Sequence, residues 1–197
     1  MIDPKELIDA LGLVPHPEGG YFREIFRSGA EPMRSKGQTD PAGTLMTTDR
    51  EPTARNVLTS IYWMVDRRSP IGFWCNNASD HVHYYHAGSA LTYSVIHPDG
   101  RLETQRLGPD PRRGDVLQLV VRGGCWKAAH LQEGEYCLLG EAVAPGFDFR
   151  DLRWATEDDL AGASPGLLAS REDLRAYLRP EERRSFDDFY DPITPRR

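Results

Sequence analysis

The chain has 197 residues and a net charge of −6, from 24 lysines and arginines against 30 aspartates and glutamates. This length allows one domain with a substantial hydrophobic core. The acidic balance argues against a nucleic-acid partner, because phosphate contacts need clustered basic side chains. No apolar run approaches the roughly 18 residues of a membrane span, and the first residues lack the basic-then-apolar layout of a secretory signal. We therefore expect a cytoplasmic globular protein that binds neither nucleic acid nor membrane.

The N-terminal segment predicts a short helix, a turn and a first strand. Asp3 can cap a helix that runs to Leu11, and Pro4 suits its first turn. A turn cluster at residues 15–20 leads into a strand that begins at Tyr21. The following stretch, residues 28–55, is polar with scattered Gly and Pro, which indicates a long loop or flap.

From residue 56 onward the pattern indicates β-structure. Runs of β-branched, aromatic and aliphatic residues alternate with turn signals such as the Pro-Asp-Gly at 98–100. The runs that we interpret as strands lie at residues 57–65, 91–96, 101–107, 115–121, 126–130 and 136–143. Short strands at this spacing predict an all-β fold, an antiparallel sandwich or barrel.

The character of the chain changes after Trp154. Residues 156–160 resemble a capped turn, and residues 170–178 predict a short helix that ends before Pro180. We therefore predict one β domain over residues 1–154. A helical extension, residues 155–197, would pack on that domain or on a dimer partner.

One segment contains most of the residues that could take part in catalysis or bind a metal. Residues 73–88 read Phe-Trp-Cys-Asn-Asn-Ala-Ser-Asp-His-Val-His-Tyr-Tyr-His-Ala-Gly. Because a strand alternates its side chains, a common face would hold Phe73, Cys75, His81, His83 and Tyr85. His86 would point the other way. A face with imidazole, thiol and phenol groups suits acid–base chemistry, a metal ion or a polar ligand.

Several separated motifs resemble the cupin superfamily, and more narrowly its cupin-5 branch, formerly domain of unknown function 985. They are His-Pro-Glu-Gly-Gly-Tyr-Phe at 16–22, Thr-Ser-Ile-Tyr-Trp at 59–63, the segment 118–126 and Val-Ala-Pro-Gly-Phe-Asp-Phe at 143–149. The resemblance covers about residues 5 to 153 and implies a double-stranded β-helix, or jelly-roll, barrel. It also implies a homodimer and a pocket in the barrel mouth. It does not imply a reaction, because one fold hosts many activities.

The metal ligands that many cupins share are replaced in this chain. By alignment with that pattern, the four ligand positions fall on Phe73, Cys75, His81 and Lys127. A protonated lysine has no lone pair for a metal and a phenylalanine never has one. We therefore predict no metal and no cofactor. A substitute site made by Cys75, His81 and His83 stays open as an alternative, although a fourth ligand is not evident.

The chemistry left to such a barrel is metal-independent proton transfer on a small molecule. Imidazole ionises near working pH, so we predict His81 or His83 as the base and Tyr85 as the proton donor or hydrogen-bond partner. The resemblance supports this reading, since sugar-nucleotide epimerases of the superfamily use a His and a Tyr. The expected reaction is an isomerisation, epimerisation, cyclisation or elimination (lyase) step next to a carbonyl.

The pocket wall is predicted from the remaining polar and aromatic positions. We expect it to include Tyr62 or Trp63, together with Phe73, Cys75, Gln118 and Trp126. Lys127 and Arg23 would bind an anionic group, although Arg23 is as often a partner for a nearby glutamate.

Other functions stay open at this stage. The inward row could be a polar core without a reaction, or the barrel could bind a metabolite without turnover. A metal-dependent oxygenase or lyase would use Cys75, His81 and His83. A nucleophilic Cys75 ranks last, because nothing in the sequence activates its thiol.

Overall fold

The computed structural model describes residues 2–28, 44–46 and 54–180, and these residues form two β-sheets with helices at both ends of the chain. The first sheet has the strand order β1 (Val14–Pro15), β2 (Tyr21–Arg27), β5 (Thr59–Asp66), β13 (Tyr136–Ala144), β7 (Asp80–Gly88) and β11 (Gln118–Val121). The second has the order β10 (Asp115–Val116), β9 (Leu102–Leu107), β8 (Leu91–Ile96), β12 (Trp126–His130), β6 (Ile71–Asn77) and β14 (Leu152–Trp154). A separate hairpin pairs β3 (Thr44–Met46) with β4 (Ala54–Asn56).

The pairing is that of a jelly roll, as predicted. Within the two sheets, neighbouring strands of the described residues pair antiparallel except for β9 with β10. Strands that are distant in sequence become neighbours, so β7 lies between β11 and β13, and β12 lies between β6 and β8. The two inner faces enclose the main core, where Trp63, Tyr93 and Leu139 are almost fully buried.

A helix covers part of the outer face of the first sheet. This helix, α1 (Pro4–Leu11), begins where the Asp3 carboxylate accepts the Lys5 amide N–H, and it ends at Gly12, whose φ is 62°. Its apolar side packs on Met64 and Leu138, which point away from the barrel interior. The predicted N-terminal helix is therefore present, at the predicted place.

The C-terminal extension covers the outer face of the second sheet. It consists of α2 (Glu157–Ala163), α3 (Leu167–Ser170) and a 3-10 helix at Glu172–Tyr177. The indole N–H of Trp74 donates to the carbonyl oxygen of Leu174 at 3.0 Å, and Leu160 packs in the same buried cluster. Residues 156–178 thus pack on their own barrel. The short helix that we predicted at 170–178 is present as the 3-10 helix, and α3 precedes it.

Two predictions fall largely outside the described residues. The long loop predicted at 28–55 is described only at Ser28 and in β3 and the first two residues of β4, and the extension is described only to Pro180. Within the described residues, no helix is both long enough and apolar enough to cross a membrane.

Candidate functional site

Two histidines of β7 point into the barrel. Strand alternation turns Val82 outward and the neighbouring imidazoles inward, and only 4% of His81 and 0% of His83 is exposed. On β13, Glu141 lies directly opposite His83 in the cross-strand register. This places one carboxylate between two imidazoles in the interior.

The Glu141 carboxylate contacts both rings. Its Oε1 makes a very short contact with Nδ1 of His81, and its Oε2 lies 3.7 Å from Nδ1 of His83. The phenol of Tyr93, on β8 of the opposite sheet, lies 3.3 Å from the same Nδ1 of His83. Each imidazole therefore has its Nδ1 next to a protein group. The Nε2 atoms of both rings are buried and have no hydrogen-bond partner among the described residues.

A buried ion pair lies beside the imidazoles. Lys127 on β12 faces inward opposite Cys75, and its ammonium donates to Glu18 Oε1 at 2.8 Å. The same ammonium lies 3.7 Å from Glu141 Oε1. The side chains of the ammonium and both carboxylates are at most 11% exposed. Three charged groups from three separate segments of the chain therefore form one buried cluster.

The His-Pro-Glu-Gly-Gly turn at 16–20 places the Glu18 carboxylate beside Lys127. Gly19 has a φ of 104°, and a Cβ there would lie 1.9 Å from the carbonyl oxygen of Ile71. Only glycine allows this close approach to β6. The carbonyl of Glu18 accepts the Phe73 amide N–H at 2.7 Å, and that of Gly19 accepts the Trp63 indole N–H at 2.9 Å. The turn is thus fixed against both sheets at one end of the barrel.

The charged groups hold each other ionised. Burial opposes the charge on Lys127, yet Glu141 and Glu18 raise its pKa well above the ordinary value. Burial likewise opposes the charge on Glu141, but the Lys127 ammonium lowers its pKa well below the ordinary value. The pKa of Glu18 is lowered for the same reason, against the cost of burial, mainly by Lys127. Near neutral pH the interior therefore holds two carboxylates and one ammonium.

Three neighbouring titratable groups, His83, Tyr93 and Cys75, stay neutral. Burial lowers the pKa of His83 to about 3, although Glu141 partly offsets this effect. Burial also raises the pKa of Tyr93 well above its ordinary value. Burial, followed by the charge of Glu18, raises the pKa of Cys75 well above its ordinary value. The Cys75 thiol is therefore protonated near neutral pH, which makes it a poor nucleophile and a poor metal ligand.

A metal could be held by a different set from the one we considered in the sequence. Among the described residues, His81, His83 and Glu141 form a group whose ligand atoms lie within 4.8 Å of one another. Two imidazoles and one carboxylate suit iron or zinc. Cys75 is not in this group, and the Lys127 ammonium beside Glu141 would repel a dication. The usual cupin ligand positions, which include Phe73 and Lys127, do not fit a metal.

Of the other predicted residues, Trp63 and Tyr85 contact the inner core and Phe73 is buried. Trp63 lies in the core with its indole bonded to the Gly19 carbonyl. Phe73 is 7% exposed and lies where the register between β6 and β12 is irregular. Tyr85 packs against the core, but its hydroxyl donates to the Gly88 carbonyl at 2.6 Å. Along β7 Tyr85 lies two residues from His83 and four from His81, but its hydroxyl is bonded to Gly88 rather than to either imidazole, so the prediction that this phenol pairs with the histidines is corrected.

The remaining predicted residues lie away from the interior. Trp126 is on the outer face of the second sheet, in the cluster with Trp74, and Tyr62 is on the outer face of the first sheet. Gln118 is exposed at the sheet edge. The Arg23 guanidinium donates to the Leu11 carbonyl at the end of α1. We therefore correct the expectation that Trp126, Gln118 and Arg23 line the pocket, since each faces away from the histidines. Of the alternatives Tyr62 and Trp63, it is Trp63 that faces inward.

The sequence interpretation missed three residues of the site. Glu141 is an acidic residue in an otherwise apolar strand, which was the available signal. Glu18 was considered only as a partner for Arg23. Tyr93 looked like an ordinary strand residue, and only the packing of the two sheets brings it to His83.

Comparison with known proteins agrees with this architecture. The uncharacterised yeast protein YML079W from Saccharomyces cerevisiae is 34% identical over 159 residues, which are 79% of this chain and 76% of the relative. A hypothetical protein from Leishmania major has a similar structure, with 27% identity, a TM-score of 0.74, and coverage of 91% of this chain and 100% of that one. Protein SO0799 from Shewanella oneidensis is similar too, with 28% identity, a TM-score of 0.72, and coverage of 92% and 100%.

The family is shown by the match along most of the chain. Residues 5–155 match the family model described as Cupin superfamily (DUF985). The jelly-roll topology of the described residues agrees with that match. This chain therefore belongs to the cupin superfamily, in its DUF985 branch.

Proposed function

We propose that this cupin is an enzyme that uses the barrel interior for metal-independent acid–base chemistry on a small molecule. His81 would remove a proton from a carbon next to a carbonyl group. The observation that carries the proposal is the arrangement of His81, whose Nδ1 contacts Glu141 while its buried Nε2 has no partner.

The Glu141 contact selects the tautomer that a base needs. An ionised carboxylate only accepts hydrogen bonds, so the His81 proton lies on Nδ1 and points to Glu141. The Nε2 atom then carries a lone pair directed into the interior. Lys127 supports this arrangement, because its ammonium favours the ionised form of Glu141.

His83 takes the opposite tautomer in this proposal. The Tyr93 hydroxyl stays protonated and donates to Nδ1 of His83, so the imidazole proton lies on Nε2. With a pKa of about 3, His83 is a neutral N–H donor at working pH. A neutral imidazole can polarise a carbonyl oxygen and stabilise an enolate. Tyr93 is then the positioning phenol, in place of Tyr85.

These roles give a balanced reaction. His81 Nε2 takes the α-proton, and the C–H electron pair moves to the carbonyl oxygen as an enolate that accepts the His83 Nε2–H hydrogen bond. Return of the proton to the α-carbon from either face gives an epimer. Where the α-carbon carries a hydroxyl, transfer of the hydroxyl proton to the enolate oxygen and return of the carbon-bound proton to the former carbonyl carbon gives an isomer. Loss of a leaving group from the β-carbon gives elimination, so the proposed class is isomerase, epimerase, cyclase or lyase.

Exchange of the α-proton with solvent tests the proposal without knowledge of the full reaction. Small hydroxyketones and aldoses are incubated with chelator-treated protein in D₂O, and exchange is followed by NMR. We expect catalysed exchange by the wild type and a loss of about 10²-fold or more in His81→Gln. The matched control is His86→Gln, because His86 lies on the outer face against Tyr62. Binding without exchange would support a metabolite-binding cupin instead.

A metal-dependent oxygenase or lyase is the second candidate, favoured by the grouping of His81, His83 and Glu141. It predicts stoichiometric iron or zinc in the purified protein and exchange or turnover that chelation abolishes. Activity that survives chelation would exclude it.

Two properties of the whole protein complete the proposal. We propose a homodimer, on the strength of family membership, and light scattering after size-exclusion chromatography would test it. We also propose a cytoplasmic location, supported by three cysteines that are all buried free thiols, as in proteins of reducing compartments. Cell fractionation would test the location.

A further inference from the structure

Within the part of the chain that the structure describes, Asn77 and Ser79 each carry a buried polar group without a hydrogen-bond partner, and both line the same crevice as His81. These groups are Nδ2 of Asn77 and the hydroxyl of Ser79, in side chains that are 4% and 1% exposed. Burying such a group without a hydrogen bond costs free energy, so a native site normally supplies a partner. Asn77 and Ser79 lie with His81 and Lys127 around one tight crevice that is closed to a water-sized molecule in this conformation, so a ligand must widen it to bind.

The local chain geometry holds the two groups in place. Asn77 ends β6 and Ser79 lies in the turn before β7, and the Asn77 Oδ1 accepts the Ser79 amide N–H at 2.8 Å. That bond occupies the amide oxygen and leaves the Nδ2 protons free. The missing partner must therefore accept a hydrogen bond from Asn77, which an oxygen atom does.

The charges around the crevice favour a neutral oxygen of the ligand as the hydrogen-bond acceptor for Asn77. The Lys127 ammonium is already shared by Glu18 and Glu141, so the buried group has one ammonium for two carboxylates. The Arg122 guanidinium at the rim is paired with Asp80 at 2.5 Å. A carboxylate or phosphate would add a further negative charge without a free cation, which a low-dielectric interior opposes. A neutral hydroxyl adds none.

We propose that Asn77 and Ser79 bind a hydroxyl oxygen of the substrate, so that the substrate is an uncharged hydroxycarbonyl compound with the hydroxyl next to the reacting carbonyl. This inference rests on the proposed function, because it assigns the carbonyl oxygen to His83 Nε2–H and the acidic proton to His81. Asn77 and Ser79 are then specificity-determining residues. They distinguish a sugar-like substrate from a simple ketone or an oxo acid.

Three probes of nearly equal size test the inference. Hydroxyacetone has the hydroxyl, butanone has a methyl group in its place, and pyruvate has a carboxylate. Each is titrated into ¹⁵N-labelled full-length protein, and dissociation constants are taken from the NMR shifts. We expect hydroxyacetone to bind about tenfold tighter than butanone, the value of one neutral hydrogen bond. Pyruvate should bind no tighter than butanone.

The variant Ser79→Ala completes the test. It removes a hydroxyl that has no protein partner, so the fold should tolerate it. The affinity for hydroxyacetone should fall several-fold towards that for butanone, since only the Asn77 contact remains, and the affinity for butanone should not change. The control is Ser94→Ala, a buried serine that pairs across strands with Ala128, a residue of the outer cluster. The Asn77 amide signals, identified by their loss in Asn77→Asp, should move with hydroxyacetone only.

The outcomes separate the two proposals. Equal binding of hydroxyacetone and butanone with clear shifts of the His81 ring nitrogens would overturn the hydroxyl subsite and leave the proposed function intact. Tight binding of pyruvate would overturn the charge argument and with it the uncharged substrate. If none of the probes moves the ring nitrogens of His81 or His83, both proposals fail.

Discussion

Replacing Lys127 with methionine removes the only ammonium of the buried cluster formed by Lys127, Glu18 and Glu141. The ammonium lies 2.8 Å from Glu18 and 3.7 Å from Glu141, and all three side chains are almost fully buried. Removing one partner of a buried pair leaves an uncompensated charge and costs about 3–5 kcal/mol. We expect a loss of that size in the free energy of unfolding, measured with urea at pH 7.5.

A second variant shows whether charge or packing is responsible. Adding Glu18→Gln to Lys127→Met removes one uncompensated carboxylate, so the double variant should be more stable than the single one and within about 2 kcal/mol of the wild type. The deficit of Lys127→Met should also shrink as the pH falls towards 5, because the carboxylates can then be neutralised by protons. The control is Lys5→Met in an exposed pair with Asp9, which should have no measurable effect. Equal destabilisation of the single and double variants would refute the reasoning.

Three further predictions concern the fold. Gly19→Ala would place a Cβ 1.9 Å from a backbone oxygen at positive φ, so it should lower the free energy of unfolding in urea by about 3 kcal/mol or more. Gly162→Ala in α2, with open space around it, should raise that free energy by about 0.5–1 kcal/mol. Equal effects of the two substitutions would contradict this prediction. Burial raises the pKa of Cys137 from 9.0 to about 12. The thiol therefore loses its proton at a lower pH in the unfolded chain than in the folded one. This residue should lower the free energy of unfolding of the wild type by about 1.4 kcal/mol per pH unit above pH 9, and Cys137→Ala should lack this pH-dependent loss. Leu160→Ala, at a fully buried position under the C-terminal extension, should cost about 2–5 kcal/mol in thermal unfolding, and a change below 1 kcal/mol would mean that the extension is not packed as described.

The direction of the site histidines was readable from the sequence because strand alternation is a local property. His81 and His83 are two residues apart, so they share a face whatever strands pair with them. The same rule should have separated Trp126 from Lys127. Adjacent residues of a strand face opposite sides, and the structure places Lys127 inside and Trp126 outside.

The partners of those histidines could not be read from the sequence. Glu141 is 60 residues from His81, and Glu18 is 109 residues from Lys127. Their meeting depends on the order of strands in two sheets and on the register of each pair. A one-residue change of register would turn Glu141 out of the barrel. Long-range pairing, rather than local preference, therefore makes the charged cluster.

Strand spacing predicted an antiparallel sandwich or barrel, and the resemblance to cupins implied the jelly roll, while the ends of the chain were less predictable. The capping box at Thr156 and Asp159 marks the start of α2 in the sequence as in the structure. The break between α3 and the 3-10 helix has no such signal. It arises where Leu168 and Leu174 must both reach the cluster around Trp74.

The most direct test of this account is the position of the ring protons of His81 and His83, read from long-range ¹H–¹⁵N NMR spectra of metal-free protein near pH 7.5. We expect His81 to carry its proton on Nδ1, facing Glu141, and His83 to carry its proton on Nε2. His81→Gln and His83→Gln would assign the signals. A His81 ring with its single proton on Nε2 would have no lone pair for the substrate, and that result would contradict the central claim.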